Sequence, residues 1–191
     1  MDRLLASIEQ CEKYEINFKR ISAIEDTEQG ARGLRDTMLL IFQDAIDNNY
    51  ENILVLEDDF MFVENKETVD SAMSGAMKQL PENWHLLFGG CQPTAGFMHR
   101  QSANLLNLQQ AFSTHCVGYS KQGIKEIMSR GMGYPIDNWL VSEIENLGQT
   151  YCTYPFLCTQ REGMSDIGKQ WISWIPFMQP RYEQKLAEIP K

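Results

Sequence analysis

Asn52-Ile53-Leu54-Val55-Leu56-Glu57-Asp58-Asp59 decides the fold class. Four apolar residues run without interruption, and three acids stop them. A run of that length bounded by polar residues reads as a central strand of a parallel sheet, covered on both faces. Open α/β sheets hold their ligands at the carboxyl ends of such strands. The acids are therefore expected where chemistry takes place. Residues two apart on a strand point the same way, so Glu57 and Asp59 would face one site together. Packed carboxylates repel unless a cation or a proton sits among them. Hard oxygen ligands suit Mn2+ or Mg2+, and such an ion can neutralise a diphosphate leaving group. The competing reading is a solvated acidic turn.

Helix and strand patterns alternate on both sides of this stretch. Residues 3 to about 15 and 31 to about 48 carry apolar positions at three- and four-residue spacing, as helices do. Residues 17–23 read as a short strand. Residues 66 to about 80 form the next helix, with Pro81 beyond it. Residues 84–88, 112–120 and 150–154 read as strands, 121–130 and 136 to about 146 as helices. Residues 91–110 read as a long loop with some helix. Alternation of this kind predicts a single α/β layer domain.

The bulk numbers narrow the function. The chain has 191 residues, 43% apolar and 23% charged, with a net charge of −9. That charge disfavours a general nucleic-acid surface, which needs excess Lys and Arg. No stretch approaches 18 consecutive apolar residues, so no membrane-spanning helix is expected. The opening residues lack the apolar core of a signal peptide, which points to a cytoplasmic protein. Five cysteines without a C-x-x-C pair read as reduced and buried.

Other residues carry a functional and a bland reading side by side. Asp137, at a predicted helix start, is either a cap or a general base for an acceptor hydroxyl. His115, inside an apolar strand, is either a core histidine or a contact to metal or phosphate. Arg161 can pair with phosphate, and Gln160 and Ser165 can bind sugar hydroxyls; a polar surface loop explains them equally. Gly30 and Gly33 precede or open a helix whose N–H groups can cradle phosphate, without the Lys-Ser/Thr of a P-loop.

The order of these motifs is more specific than any one of them. Phe18-Lys19-Arg20-Ile21-Ser22-Ala23-Ile24, then Gly30 and Gly33, then Leu56-Glu57-Asp58-Asp59, then Thr114-His115-Cys116-Val117-Gly118-Tyr119-Ser120, Pro135-Ile136-Asp137, Gln160 and Ser165-Asp166-Ile167 follow one another. This series resembles glycosyltransferase family 25, the lipopolysaccharide and collagen galactosyltransferases, over residues 1 to about 170. Residues 171–191 would be a tail packing on or extending that domain. The resemblance implies a GT-A-like, Rossmann-like mixed sheet flanked by helices. It implies a UDP-sugar donor, transfer of galactose, the commonest sugar of that family, by inversion, and a glycan, lipid or protein acceptor. By position it matches Glu57, Asp58 and Asp59 to the metal and donor motif and Asp137 to catalysis. Together with the residue readings above, Glu57, Asp59 and His115 are expected at a Mn2+-type metal, and Asp58, Gly30, Gly33, Thr37, Gln160, Arg161 and Ser165 at the donor. The chain departs from the family pattern twice: it opens near the helix that follows the family's first strand, and Met38 stands where the family has histidine. Those departures support a second expectation, a catalytically silent binding or assembly module. A metal-dependent phosphoryl or nucleotidyl enzyme is a third.

Overall fold

The computed structural model describes residues 3–93, 98–164 and 171–173. In chain order the elements are α1 (Arg3–Lys13), α2 (Gly30–Asp47), β1 (Asn52–Leu56), β2 (Phe60–Phe62), α3 (Lys66–Gln79), β3 (Leu86–Phe88), β4 (Gln92–Pro93), β5 (Met98–Arg100), β6 (Leu105–Leu108), β7 (Ala111–Phe112), β8 (Cys116–Ser120), α4 (Lys121–Arg130), α5 (Ile136–Glu143), a 3-10 turn (Glu145–Leu147), β9 (Thr150–Thr153), β10 (Cys158–Gln160), β11 (Gly163–Met164) and β12 (Trp171–Ile172). Side-chain caps set two of the helix starts: Asn65 accepts the Thr68 N–H at 2.9 Å, and Ser120 accepts the Gly123 N–H at 2.9 Å. Gly131, at φ 71°, takes the left-handed conformation that stops α4.

Six strands form one mixed sheet in the order β1-β8-β3-β9-β6-β5. Among the described residues only β3 and β9 pair in parallel. The chain is thus a mixed α/β protein with helices around a largely antiparallel sheet. Phe42 of α2, Phe88, Val117 and Tyr119 of the sheet, Ile124 and Ile127 of α4 and Leu140 of α5 close the main core. Each such side chain contributes roughly 1.5–3 kcal/mol when fully buried. A second cluster joins Cys11 and Tyr14 at the end of α1 to Phe60 and Phe62 of β2. It fixes α1 beside the turn that carries the acids. All five cysteines are buried and none is bonded to another.

Several expectations are corrected. The run Ile53–Leu56 is not a central parallel strand: among the described residues β1 is the sheet's edge and pairs antiparallel with β8 alone. An apolar run does not reveal how many neighbours a strand has, and Leu54 remains 46% exposed. Residues 17–23 form no strand; they run exposed along α2, tied where the Ile24 N–H donates to Thr37 Oγ1 at 2.8 Å. The described residues of 91–110 hold β4, β5 and β6 and no helix. Asn107 disguises β6, because its amide meets the Gly148 and Thr150 carbonyls at 3.0 and 3.2 Å and so tolerates burial. The strand expected over 112–120 is broken at Ser113, whose φ of 81° ends the pairing. Of the tail, Trp171–Ile172 pairs with Gly163–Met164; residues 174–191 lie outside the described residues.

Candidate functional site

Three stretches far apart in sequence meet at the end of β1. The first is the turn Glu57-Asp58-Asp59 between β1 and β2. The second is the corner Gln110–Thr114 between β6 and β8. The third is the start of α5, which carries Asp137. The Glu57 N–H donates to the His115 carbonyl at 3.0 Å, extending the β1–β8 ladder by one step and holding the turn against the corner. The Thr114 hydroxyl lies 2.7 Å from Glu57 Oε1 and 3.2 Å from Asp137 Oδ1. It thereby joins two of the sequence-nominated acids.

Asp137 does not cap its own helix. No side chain caps α5; the Asp137 carboxylate instead accepts the Ser113 N–H at 2.9 Å. Glu145, unmarked by the sequence reading, grips the same corner from the other side. Its Oε2 accepts the Ala111 N–H at 2.8 Å, while Oε1 is buried without a hydrogen bond among the described residues. Gln110 and Ser113 hold positive φ of 59° and 81°. Two buried carboxylates therefore clamp a corner that ordinary residues adopt at a cost.

Burial and mutual repulsion decide the charge states. Burial pushes the Glu57 carboxyl up to about 8; Asp59, and more weakly Asp137 and Asp58, add to the rise, and the Thr114 hydroxyl opposes it. Burial likewise raises Asp59, against the pull of Arg3. Burial raises Asp137 too, with the Ser113 N–H and Thr114 hydroxyl favouring its ionised form. Glu145 is raised to about 7, first by burial.

One cation offsets this charge. Arg3 Nη2 lies 2.5 Å from Asp58 Oδ1 and 3.5 Å from Asp59 Oδ2. One helical turn on, Ser7 Oγ donates to the Asp58 carbonyl at 2.7 Å. Residues four apart share a helix face, so α1 meets the turn with both groups at once. The sequence holds a signal for this in Arg3 and Ser7, polar positions four apart on an otherwise amphipathic helix; Thr114 and Glu145 carry none.

β10 pairs with β2 and delivers Gln160 and Arg161. The Arg161 N–H donates to the Asp59 carbonyl at 2.6 Å, and its Nη2 to the Ala6 carbonyl at 3.3 Å. Gln160 Nε2 reaches Asp59 Oδ2 at 3.4 Å. Asp59 Oδ1, Gln160 Oε1 and Arg161 Nη1 are buried with no hydrogen-bond partner among the described residues.

Other nominated residues lie elsewhere. His115 is fully buried, its pKa lowered to about 4 by burial. Its imidazole makes no hydrogen bond or ion pair with the acids among the described residues. Thr37 Oγ1 donates to the Gly33 carbonyl at 2.8 Å and accepts from Ile24. A Cβ on Gly33 would meet the Ile24 carbonyl at 2.4 Å. Gly33 and Thr37 thus seat the 16–26 segment on α2, and no described hydrogen bond links them or Gly30 to the acids. Ser165 lies outside the described residues.

Among the described residues, no three His, Cys, Asp or Glu side chains converge as a formed metal centre. The chemistry of the donor set nonetheless fits a hard cation. Two buried oxygens, Asp59 Oδ1 and Gln160 Oε1, lack donors among the described residues, and Glu57 beside them is raised first by burial and then by the Asp59 charge. No protein-family model matches the chain, and no curated protein sequence matches it. No helix among the described residues is long and apolar enough to cross a membrane.

Proposed function

We propose that the chain is a metal-assisted, cytoplasmic glycosyltransferase that moves a sugar, galactose first among candidates, from a UDP-sugar to a hydroxyl on a glycan, lipid or protein. The observation that carries this reading is the Thr114 hydroxyl within hydrogen-bond reach of both Glu57 and Asp137, with Asp59 close enough to Glu57 for its charge to raise that carboxyl. The ordered motifs that resemble glycosyltransferase family 25 support it, and the mixed α/β sheet flanked by helices is compatible with it.

Glu57 and Asp59 would hold Mn2+ or Mg2+, with Gln160 Oε1 as a neutral oxygen beside them. The ion would supply positive charge for the diphosphate leaving group. Arg161 brings a second cationic group to the same side. Asp137 is the base: its carboxylate takes the proton of the acceptor hydroxyl as that oxygen attacks the sugar's anomeric carbon. Burial makes it a stronger base than a solvated aspartate, while the Ser113 N–H and Thr114 hydroxyl keep it oriented. One base and one displacement suit inversion.

Calorimetry with UDP-galactose and Mn2+, followed by an assay for donor hydrolysis, tests the proposal. Metal-dependent binding with turnover supports it. Asp137→Asn should keep donor binding and lower turnover at least about a hundredfold, the ordinary worth of a general base. Equal turnover in that variant would remove Asp137 from the mechanism. The Arg3 ion pair favours a second reading, a silent binding module whose acids are already compensated. Absence of metal and nucleotide binding in both wild type and an Arg3→Gln variant supports that one.

A further inference from the structure

Asp137 and Glu145 hang from one piece of helix. Ile136, Leu140 and Ile144, spaced four apart, seat that piece in the main core. The Ile144 N–H donates to the Leu140 carbonyl at 2.9 Å, and the Leu147 N–H to the Ile144 carbonyl at 3.0 Å, so α5 runs straight into the 3-10 turn. Asp137 and Glu145 each follow a residue of this core row by one position. Both leave the helix on the same flank, towards the corner Gln110–Thr114.

The two carboxyl groups divide that corner between them. Glu145 holds its entry: Oε2 accepts the Ala111 N–H at 2.8 Å, and the Gln110 N–H also favours the ionised form. Asp137 holds its exit: it accepts the Ser113 N–H at 2.9 Å and lies 3.2 Å from the Thr114 hydroxyl. Both of those contacts favour the ionised form of Asp137.

Each end of the corner also carries a residue at positive φ, Gln110 at 59° and Ser113 at 81°. Neither is glycine, so both conformations cost energy and lapse when nothing holds them. The corner is too short for one end to relax alone. If Gln110 returns to negative φ, the peptide planes after it turn, and the Ser113 N–H and Thr114 hydroxyl leave Asp137. Glu145 is itself fully buried, so it meets neither donor nor acceptor. Its influence on Asp137 runs through the corner or through charge.

We propose that Glu145 is a positioning residue of this site: by holding Gln110 and Ala111 it keeps the Ser113 N–H and the Thr114 hydroxyl on Asp137, and so fixes where that carboxylate points and how readily it takes a proton. The inference rests on the transferase reading for the part of Asp137 as base. The coupling between the two carboxyl groups rests on the corner alone.

Two variants separate the hydrogen bonds from the charge. Glu145→Leu fills much of the same space without an acceptor; Glu145→Gln keeps an acceptor oxygen and removes the charge. The Asp137 carboxyl, followed by carbon NMR, should titrate at least about one pH unit higher in Glu145→Leu, because two contacts to its ionised form are lost. In Glu145→Gln it should titrate as in wild type. The Ser113 amide should exchange at least about tenfold faster in Glu145→Leu only. With UDP-galactose, kcat for donor hydrolysis should fall at least about tenfold in Glu145→Leu at unchanged KM. Native-state hydrogen exchange of the wild type needs no variant to fold: the Ala111 and Ser113 amides should open together, with the same dependence on urea. The proposal is overturned if the Asp137 titration stays in place in Glu145→Leu, if Glu145→Gln moves it as far as Glu145→Leu does, or if Ala111 opens without Ser113. A wild type without turnover ends the transferase reading and leaves those three results to decide this one.

Discussion

Replacing Glu57 with glutamine keeps the acceptor for the Thr114 hydroxyl and removes the charge. The carboxyl's rise from 4.5 to about 8 means that the folded protein holds this proton more tightly than the unfolded chain does. Below pH 4.5 both states are protonated, and the group costs nothing by its charge. As pH rises towards 8 the unfolded chain ionises freely while the folded chain resists, so stability falls across that window. Above 8 both are ionised and the full cost stands. At about 1.4 kcal/mol per pH unit the loss approaches roughly 5 kcal/mol. That is an upper limit, because part of Glu57 still meets solvent. Urea unfolding at pH 5, 7 and 9 measures it. Glu57→Gln should lie closest to wild type at pH 5, above it by no more than about 1 kcal/mol, and exceed it progressively at 7 and 9. Asp59 and Asp137 are raised too and remain in both proteins, so the gap between the two curves isolates Glu57. Parallel curves from pH 5 to 9 would refute the burial and repulsion assigned to this carboxyl. Adding Mn2+ at pH 9 should narrow the gap, because a cation favours the ionised form.

Arg3→Gln removes the cation that α1 presents to Asp58 and Asp59. Both partners are partly exposed, so stability should fall by no more than about 1 kcal/mol in thermal melts, while calorimetry should show Mn2+ affinity several-fold higher; an unchanged or lower affinity would mean that Arg3 does not compete with the metal. Gly33→Ala drives a methyl group into the Ile24 carbonyl at 2.4 Å. A loss of about 1–3 kcal/mol should follow, with faster exchange of the Ile24 amide; retention of both would show that the 16–26 segment is not seated on α2 as described.

The sequence made some parts of this molecule readable and hid others for definite reasons. The helices α2 to α5 carry a three- to four-residue apolar period because one side of each faces the sheet, and that period survives in the sequence. The acids after β1 were visible because three adjacent charges end an apolar run abruptly in the sequence. The edge position of β1 was not visible: strand neighbours are set by chain connectivity, and Ile53–Leu56 would read the same at the centre. Asn107 concealed β6, since its partners lie some forty residues away. In the site, Asp137 stood out beside Pro135, but its grip on Ser113 depends on the fold of the corner. Thr114 and Glu145 had no signature, because a hydroxyl or a lone carboxylate gains meaning only from what it meets.

Thr114 meets two carboxyl groups with a single hydrogen. It can give that hydrogen to Glu57 or to Asp137, never to both in the same instant. Whichever acid is refused must either bring a hydrogen of its own to the hydroxyl oxygen or face it with lone pairs opposed. The two acids, eighty positions apart in the chain, are therefore answerable to one another: what is done to one decides what the other is able to accept.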